Sequence, residues 1–158
     1  MGTIESIHVA PEGGAAMQPL QEVQALAGRG LDGDRYCLEA GAFSDREGPE
    51  RQVTLIESEV LEAVARDHDL VIDPNISRRN LVTRGVALPH LVGQTFCVGE
   101  AEFRGVKLNE PCQYFQDLIQ MDGVIEALMH RSGLNAEVVS GGTIRVGDTV
   151  EAVTEPRP

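Results

Sequence analysis

The chain has 158 residues, with 25 Asp and Glu against 13 Lys and Arg, giving a formal net charge of −12 at pH 7. That balance excludes a nucleic-acid binder, because neutralising phosphates needs a basic face and this surface repels a polyanion. The length fits one domain, assigned to residues 1–153 with a flexible tail at 154–158. No apolar stretch is long enough to span a bilayer, and the first cationic residue, Arg29, comes too late for a signal peptide, so the reading is a cytoplasmic protein with no membrane partner.

In chain order, Ile4, Ile7 and Val9 suggest a first strand, Leu20 to Leu26 a second, and Gln52-Val53-Thr54-Leu55-Ile56 a short apolar third. The segment Ala40 to Arg51 has no periodicity and reads as a surface connection. From Glu57 to His68 the period becomes helical, with Val60, Leu61 and Val64 on one side, and Asp73-Pro74-Asn75 closes the segment. Leu81-Val82-Thr83 returns to extended structure. Thr95 to Val98 and Ala101 to Leu108 form an expected hairpin turned at Gly99-Glu100; Ile144 to Val153 is read as a second one turned at Gly147-Asp148. Between them, Met121, Ile125, Leu128 and Met129 outline a second helix, whose C-terminal end His130 and Arg131 are placed to cap. Short strands, 17 glycines and only two clear helices predict a mostly β fold, a largely antiparallel β-barrel with helical insertions.

The cysteines Cys37, Cys97 and Cys112 are odd in number and widely spaced, so neither a disulfide framework nor a zinc site is expected. Cys97 sits in a strand with Phe96 and Val98 and is read, like Cys37, as a packing residue. Cys112 is different. It follows Leu108-Asn109-Glu110-Pro111 and lies close to the only lysine, Lys107, and a thiol's reactivity depends on its thiolate form, which nearby positive charge favours. The sharpest basic cluster is Arg78-Arg79, where a small anion would be held in an otherwise acidic chain. His8, His68 and His90 fall in separate segments without ligand spacing and are read as non-catalytic.

The ordered series Gly30-Leu31-Asp32-Gly33-Asp34-Arg35, Arg51 to Ile56, Arg78-Arg79-Asn80-Leu81-Val82-Thr83-Arg84-Gly85-Val86, Asn109-Glu110-Pro111-Cys112, His130-Arg131-Ser132-Gly133-Leu134 and Gly142 to Asp148 resembles the MOSC family, named for the C-terminal domain of molybdenum-cofactor sulfurase. The resemblance implies a β-barrel of the pyruvate-kinase-insert type that handles the molybdenum cofactor, a molybdopterin, or sulfur destined for a metal. The family's marker cysteine falls on Cys112, as persulfide carrier or direct molybdenum ligand. Arg78, Arg79, Asn80, Gly33, Asp34 and Arg35, with Lys107 and Asn109, map onto residues near a pterin and its phosphate. No pyridoxal-phosphate domain is expected here, so sulfur would come from a cysteine desulfurase or another donor. Two other functions stay open: a molybdenum-dependent reductase of N-hydroxylated small molecules, served by external electron-transfer partners, and a non-catalytic interaction module.

Overall fold

A computed structural model describes residues 1–44 and 48–153, so the expected tail at 154–158 lies outside the described residues. Strands β1 (Gly2–Val9), β2 (Gln18–Leu20), β3 (Glu22–Leu26), β4 (Gly30–Leu31) and β5 (Val53–Glu57) precede helix α1 (Ser58–His68). Strand β6 (Leu81–Arg84), a 3-10 turn at Leu88–Leu91, β7 (Thr95–Val98) and β8 (Ala101–Leu108) lead to the short helices α2 (Gln113–Ile119) and α3 (Val124–Leu128). Strands β9 (Leu134–Ser140), β10 (Gly142–Arg145) and β11 (Thr149–Ala152) follow.

Seven strands close a mixed barrel in the order β11, β7, β8, β9, β5, β6, β1 and back to β11, with β2 added beside the far end of β1. Its pairs are antiparallel except β5 with β6, where Leu55 stands beside Leu81 and α1 makes the crossover that a parallel pair requires. A separate three-stranded sheet joins β10, β3 and β4. The fold is therefore mostly β with three short helices.

Strand alternation explains the packing. Ile4, Ile7, Leu55, Leu81, Phe96, Phe103 and Leu134 fill the barrel, and Phe96 meets its cross-strand partner Phe103 edge-on at 5.8 Å. Ile56 and Val82 point the other way, into a second cluster with Leu61, Val64, Phe115, Val124 and Leu128 beneath the helices. Strand β5 is thus apolar on consecutive positions because it is buried on two faces.

Three expectations are corrected. The segment Ile144 to Val153 turns at Gly147-Asp148, but its arms do not pair: β10 joins β3, whereas β11 joins β7 and β1. Ile4 enters at the turn, donating to the Asp148 carbonyl and accepting from Gly147, which wedges the arms into different sheets. Cys97 is exposed: with Phe96 and Val98 facing inward, the period of two turns the residue between them outward. The second helix is split into α2 and α3, and the cap of α3 belongs to Arg131, whose Nε donates to the Ala127 carbonyl at 2.8 Å. His130 instead takes a left-handed backbone at φ 66° and pairs with Glu110 at 3.0 Å.

Candidate functional site

Cys112 lies just before α2 in extended conformation, with its thiol exposed and unused as a helix cap. It borders a pocket of about 490 Å3 lined also by Arg35, Arg51, Arg78, Arg79 and Lys107. Among the described lining residues, Glu110 is the one carboxylate. In a chain of net charge −12 this is a concentrated reversal of sign. The lining also holds Tyr36, Phe43, Tyr114 and Phe115. Those are four of the six aromatic residues in the sequence, the others being the core pair Phe96 and Phe103.

Arg79 is the best-fixed cation. The tight turn after Asp73 ends at Arg78, which takes a left-handed backbone at φ 64° and delivers Arg79 to the start of β6. The Arg79 guanidinium is 6% exposed and packs over the Phe115 ring at 5.2 Å. Its Nε donates to the Ser132 carbonyl at 3.0 Å and its Nη1 to the Ser77 carbonyl at 3.3 Å. Its Nη2 donates to Ser132 Oγ at 2.7 Å and to Asn109 Oδ1 at 2.9 Å. Burial first, and then the charge of Arg35, bring Arg79 down to about 10, while the Cys112 sulfur acts in the opposite direction. A guanidinium at that value is still cationic at neutral pH.

Arg35 is held by Asp34, whose buried carboxylate accepts from Arg35 Nη1 at 3.0 Å and from the Ala10 amide at 3.2 Å. Arg35 Nη2 donates to the Arg78 carbonyl at 3.3 Å. Arg78 in turn donates to the Ala15 carbonyl, and burial and the neighbouring Arg35 charge lower its pKa. At the outer side, Glu50 Oε1 stands 3.4 Å from Arg51 and 3.6 Å from Lys107.

The structure therefore brings Cys112, Arg35, Arg78, Arg79, Lys107 and Asn109 to one cavity. Asn80, Asp34 and Gly33 are not in its lining. Asn80 is fully buried and works as a staple: its Oδ1 accepts from the Thr54 amide at 3.0 Å and its Nδ2 donates to the His8 carbonyl at 3.1 Å. Asp34 anchors Arg35 from behind, and Gly33 supplies the turn at φ 85° that lets Asp34 do so. Arg84 lies elsewhere, paired with Glu5 and Glu62 on the outside of the barrel. The sequence reading missed Asn135 and Ser132. Asn135 lies on β9, whose alternation of Leu134, Ala136 and Val138 with polar neighbours is itself a readable strand signal.

Among the described residues no group of His, Cys, Asp and Glu side chains is gathered to cage a metal, and Cys112 is the one thiol in this lining. Nor is any described helix long and apolar enough to cross a membrane. A family model described as "MOSC domain" matches residues 44–151. Among solved structures, the YUAD protein from Bacillus subtilis is similar at 18% identity with a TM-score of 0.80, covering 96% of each chain. YiiM from Geobacillus stearothermophilus is similar at 16% identity and a TM-score of 0.75, covering 98% of this chain and 76% of its own. YiiM from Escherichia coli is similar at 18% identity and a TM-score of 0.67, covering 99% of this chain and 72% of its own. At such identities the likeness concerns the fold. No curated protein matches the chain.

Proposed function

The chain belongs to the MOSC domain family, whose members are generally connected with the molybdenum cofactor, and from that premise we propose that it carries sulfur on Cys112 as a persulfide. The observation that carries this reading is the difference between the three thiols. Cys37 is buried, Cys97 faces outward from the barrel wall, and Cys112 alone opens on a cavity with five cationic side chains. A persulfide anion needs a thiolate to form it and positive charge to keep it, and the cations in this lining supply the second.

The donor supplies the sulfane sulfur. Attack by the Cys112 thiolate is thiol exchange and needs no further base, so the chain's own part is to present the sulfur and hold the anionic product. The test is incubation with a cysteine desulfurase and cysteine, followed by the mass of the Cys112 peptide without reductant. A gain of one sulfur is expected there.

The same lining favours a second reading, in which Cys112 ligates molybdenum. A thiolate suits that metal, Arg78 and Arg79 suit a phosphate, and the walls formed by Tyr36, Tyr114 and Phe115 suit a flat heterocycle, so the residues present fit the cofactor. When bound, the cofactor would supply two-electron redox chemistry at the metal, the basis for reducing N-hydroxylated small molecules with electrons from a partner. Retention of molybdenum and pterin fluorescence by the protein, lost in Cys112→Ser, distinguishes this reading from the first.

A further inference from the structure

Arg79, Asn109 and Asn135 form a hydrogen-bonded chain whose direction is fixed by chemistry. A guanidinium only donates, so the Asn109 atom 2.9 Å from Arg79 Nη2 must be its oxygen. Asn109 then turns its Nδ2 to Asn135 Oδ1 at 2.6 Å. Asn135 Oδ1 thus already accepts one hydrogen bond, whereas its Nδ2 has no hydrogen-bond partner among the described residues. Asn135 is 7% exposed and lines the pocket. Arg79 has likewise committed four of its five N–H groups to protein oxygens, which leaves one Nη1 hydrogen.

Each amide oxygen of this chain already accepts a hydrogen bond within it, while Asn135 Nδ2 and one Arg79 Nη1 hydrogen have no protein acceptor among the described residues. Among the described residues neither Arg78 nor Arg79 has a carboxylate within ion-pair distance, unlike Arg35, which has Asp34. A free amide donor that opens on the same pocket as an unneutralised guanidinium suits an acceptor that carries negative charge. We propose that the unpartnered N–H groups of Asn135 and Arg79 form an anion point in the Cys112 pocket, and that the sulfur donor is a small persulfide bearing a carboxylate, of the cysteine or glutathione kind. The choice of donor rests on the persulfide reading above; the anion point does not.

The transfer balances without an added oxidant. The Cys112 thiolate attacks the outer sulfur of R–S–SH, the new bond joins Sγ to that sulfur, and the donor's S–S bond breaks. Its electron pair leaves on the inner sulfur as RS⁻, which takes up the proton of the transferred sulfur to leave as RSH, and Cys112 remains as the persulfide anion. The carboxylate sits on Arg79 and Asn135 while the outer sulfur meets Cys112.

Two arms test the proposal. In the first, the full chain is alkylated with iodoacetate or with neutral iodoacetamide, and the rate ratio at Cys112 is compared with that at exposed Cys97. The anion point predicts a ratio at Cys112 larger by roughly tenfold or more, abolished by excess inorganic phosphate. Asn135→Asp keeps the acceptor for Asn109 but replaces the donor with a negative charge, and should bring the ratio down to that of Cys97; if that variant does not fold, the phosphate competition on the unaltered chain decides. Equal ratios at the two cysteines, or no effect of phosphate, overturn the anion point. In the second arm, glutathione persulfide and the carboxylate-free persulfide of cysteamine are offered as donors. Faster loading from the first is expected. Loading by a cysteine desulfurase with no preference between the small donors overturns the donor assignment and leaves the persulfide reading standing; failure of every donor overturns that reading too.

Discussion

Asn109 Oδ1 accepts from Arg79 Nη2 at 2.9 Å, so the residue three positions before Cys112 holds a buried cation of the pocket. Asn109→Ala removes that acceptor and the donor to Asn135 together. It is expected to lower stability by about 1–3 kcal/mol, the usual cost of stranding a buried polar partner. Urea unfolding with an unchanged slope and a lower midpoint checks it; an unchanged midpoint would show that the chain of amides holds nothing.

The three thiols should react in the order Cys112 and Cys97 before Cys37. Two are exposed, whereas Cys37 is buried and burial pushes its thiol pKa up, which starves it of thiolate. Peptide mapping after timed alkylation with a neutral reagent reads the order. Early modification of Cys37 in the folded protein would contradict it.

Gly133 links Ser132, which holds Arg79, to β9, and it does so at φ 112°. A Cβ there would stand 2.0 Å from the Leu55 carbonyl oxygen, so Gly133→Ala is strained in conformation and blocked in space. It should cost more than about 1–3 kcal/mol, enough to lower the yield of folded protein and the melting temperature together. A melting temperature equal to that of the unaltered chain would exclude the close approach.

His8 gives the fold an acid-sensitive point. It is 3% exposed, its Nε2 lies 2.8 Å from Ser6 Oγ, and its Nδ1 has no hydrogen-bond partner among the described residues. Burial lowers its pKa, with Asn75 and Asp73 opposing. The unfolded chain therefore takes up a proton near the ordinary value of about 6.5 while the folded chain resists, so this contribution to stability is present above that pH and is lost as pH falls below it. The unfolding free energy should fall less between pH 7.5 and 5.5 in His8→Gln than in the unaltered chain. A drop of equal size in the two would contradict the assignment.

Much of the barrel was readable because its strands are amphipathic: Phe96, Phe103 and Val98 announce β7 and β8, and Leu61 and Val64 announce α1. The same period misassigned Cys97 once its apolar character was weighed above its position between two inward residues. The false hairpin at Gly147-Asp148 arose because a local turn says nothing about which distant strands its arms will meet, and Ile4 decides that. In the site, Cys112, Arg79 and Asn109 were legible as chemistry-bearing types. Asn80 looked like a ligand residue but staples Thr54 to His8, while Asn135 drew no reading from the sequence and faces the pocket. Side-chain amides serve either role, and only the donors around them tell which.

The central claim is that Cys112 holds transferable sulfur. The most direct measurement is the mass of each cysteine peptide after incubation with a sulfane-sulfur donor, without reductant, in the unaltered chain and in Cys112→Ser, Cys37→Ser and Cys97→Ser. The account predicts one added sulfur on the Cys112 peptide, retained in Cys37→Ser and Cys97→Ser and absent from Cys112→Ser. Sulfur appearing on Cys97 instead, or equally on every exposed thiol, would contradict it.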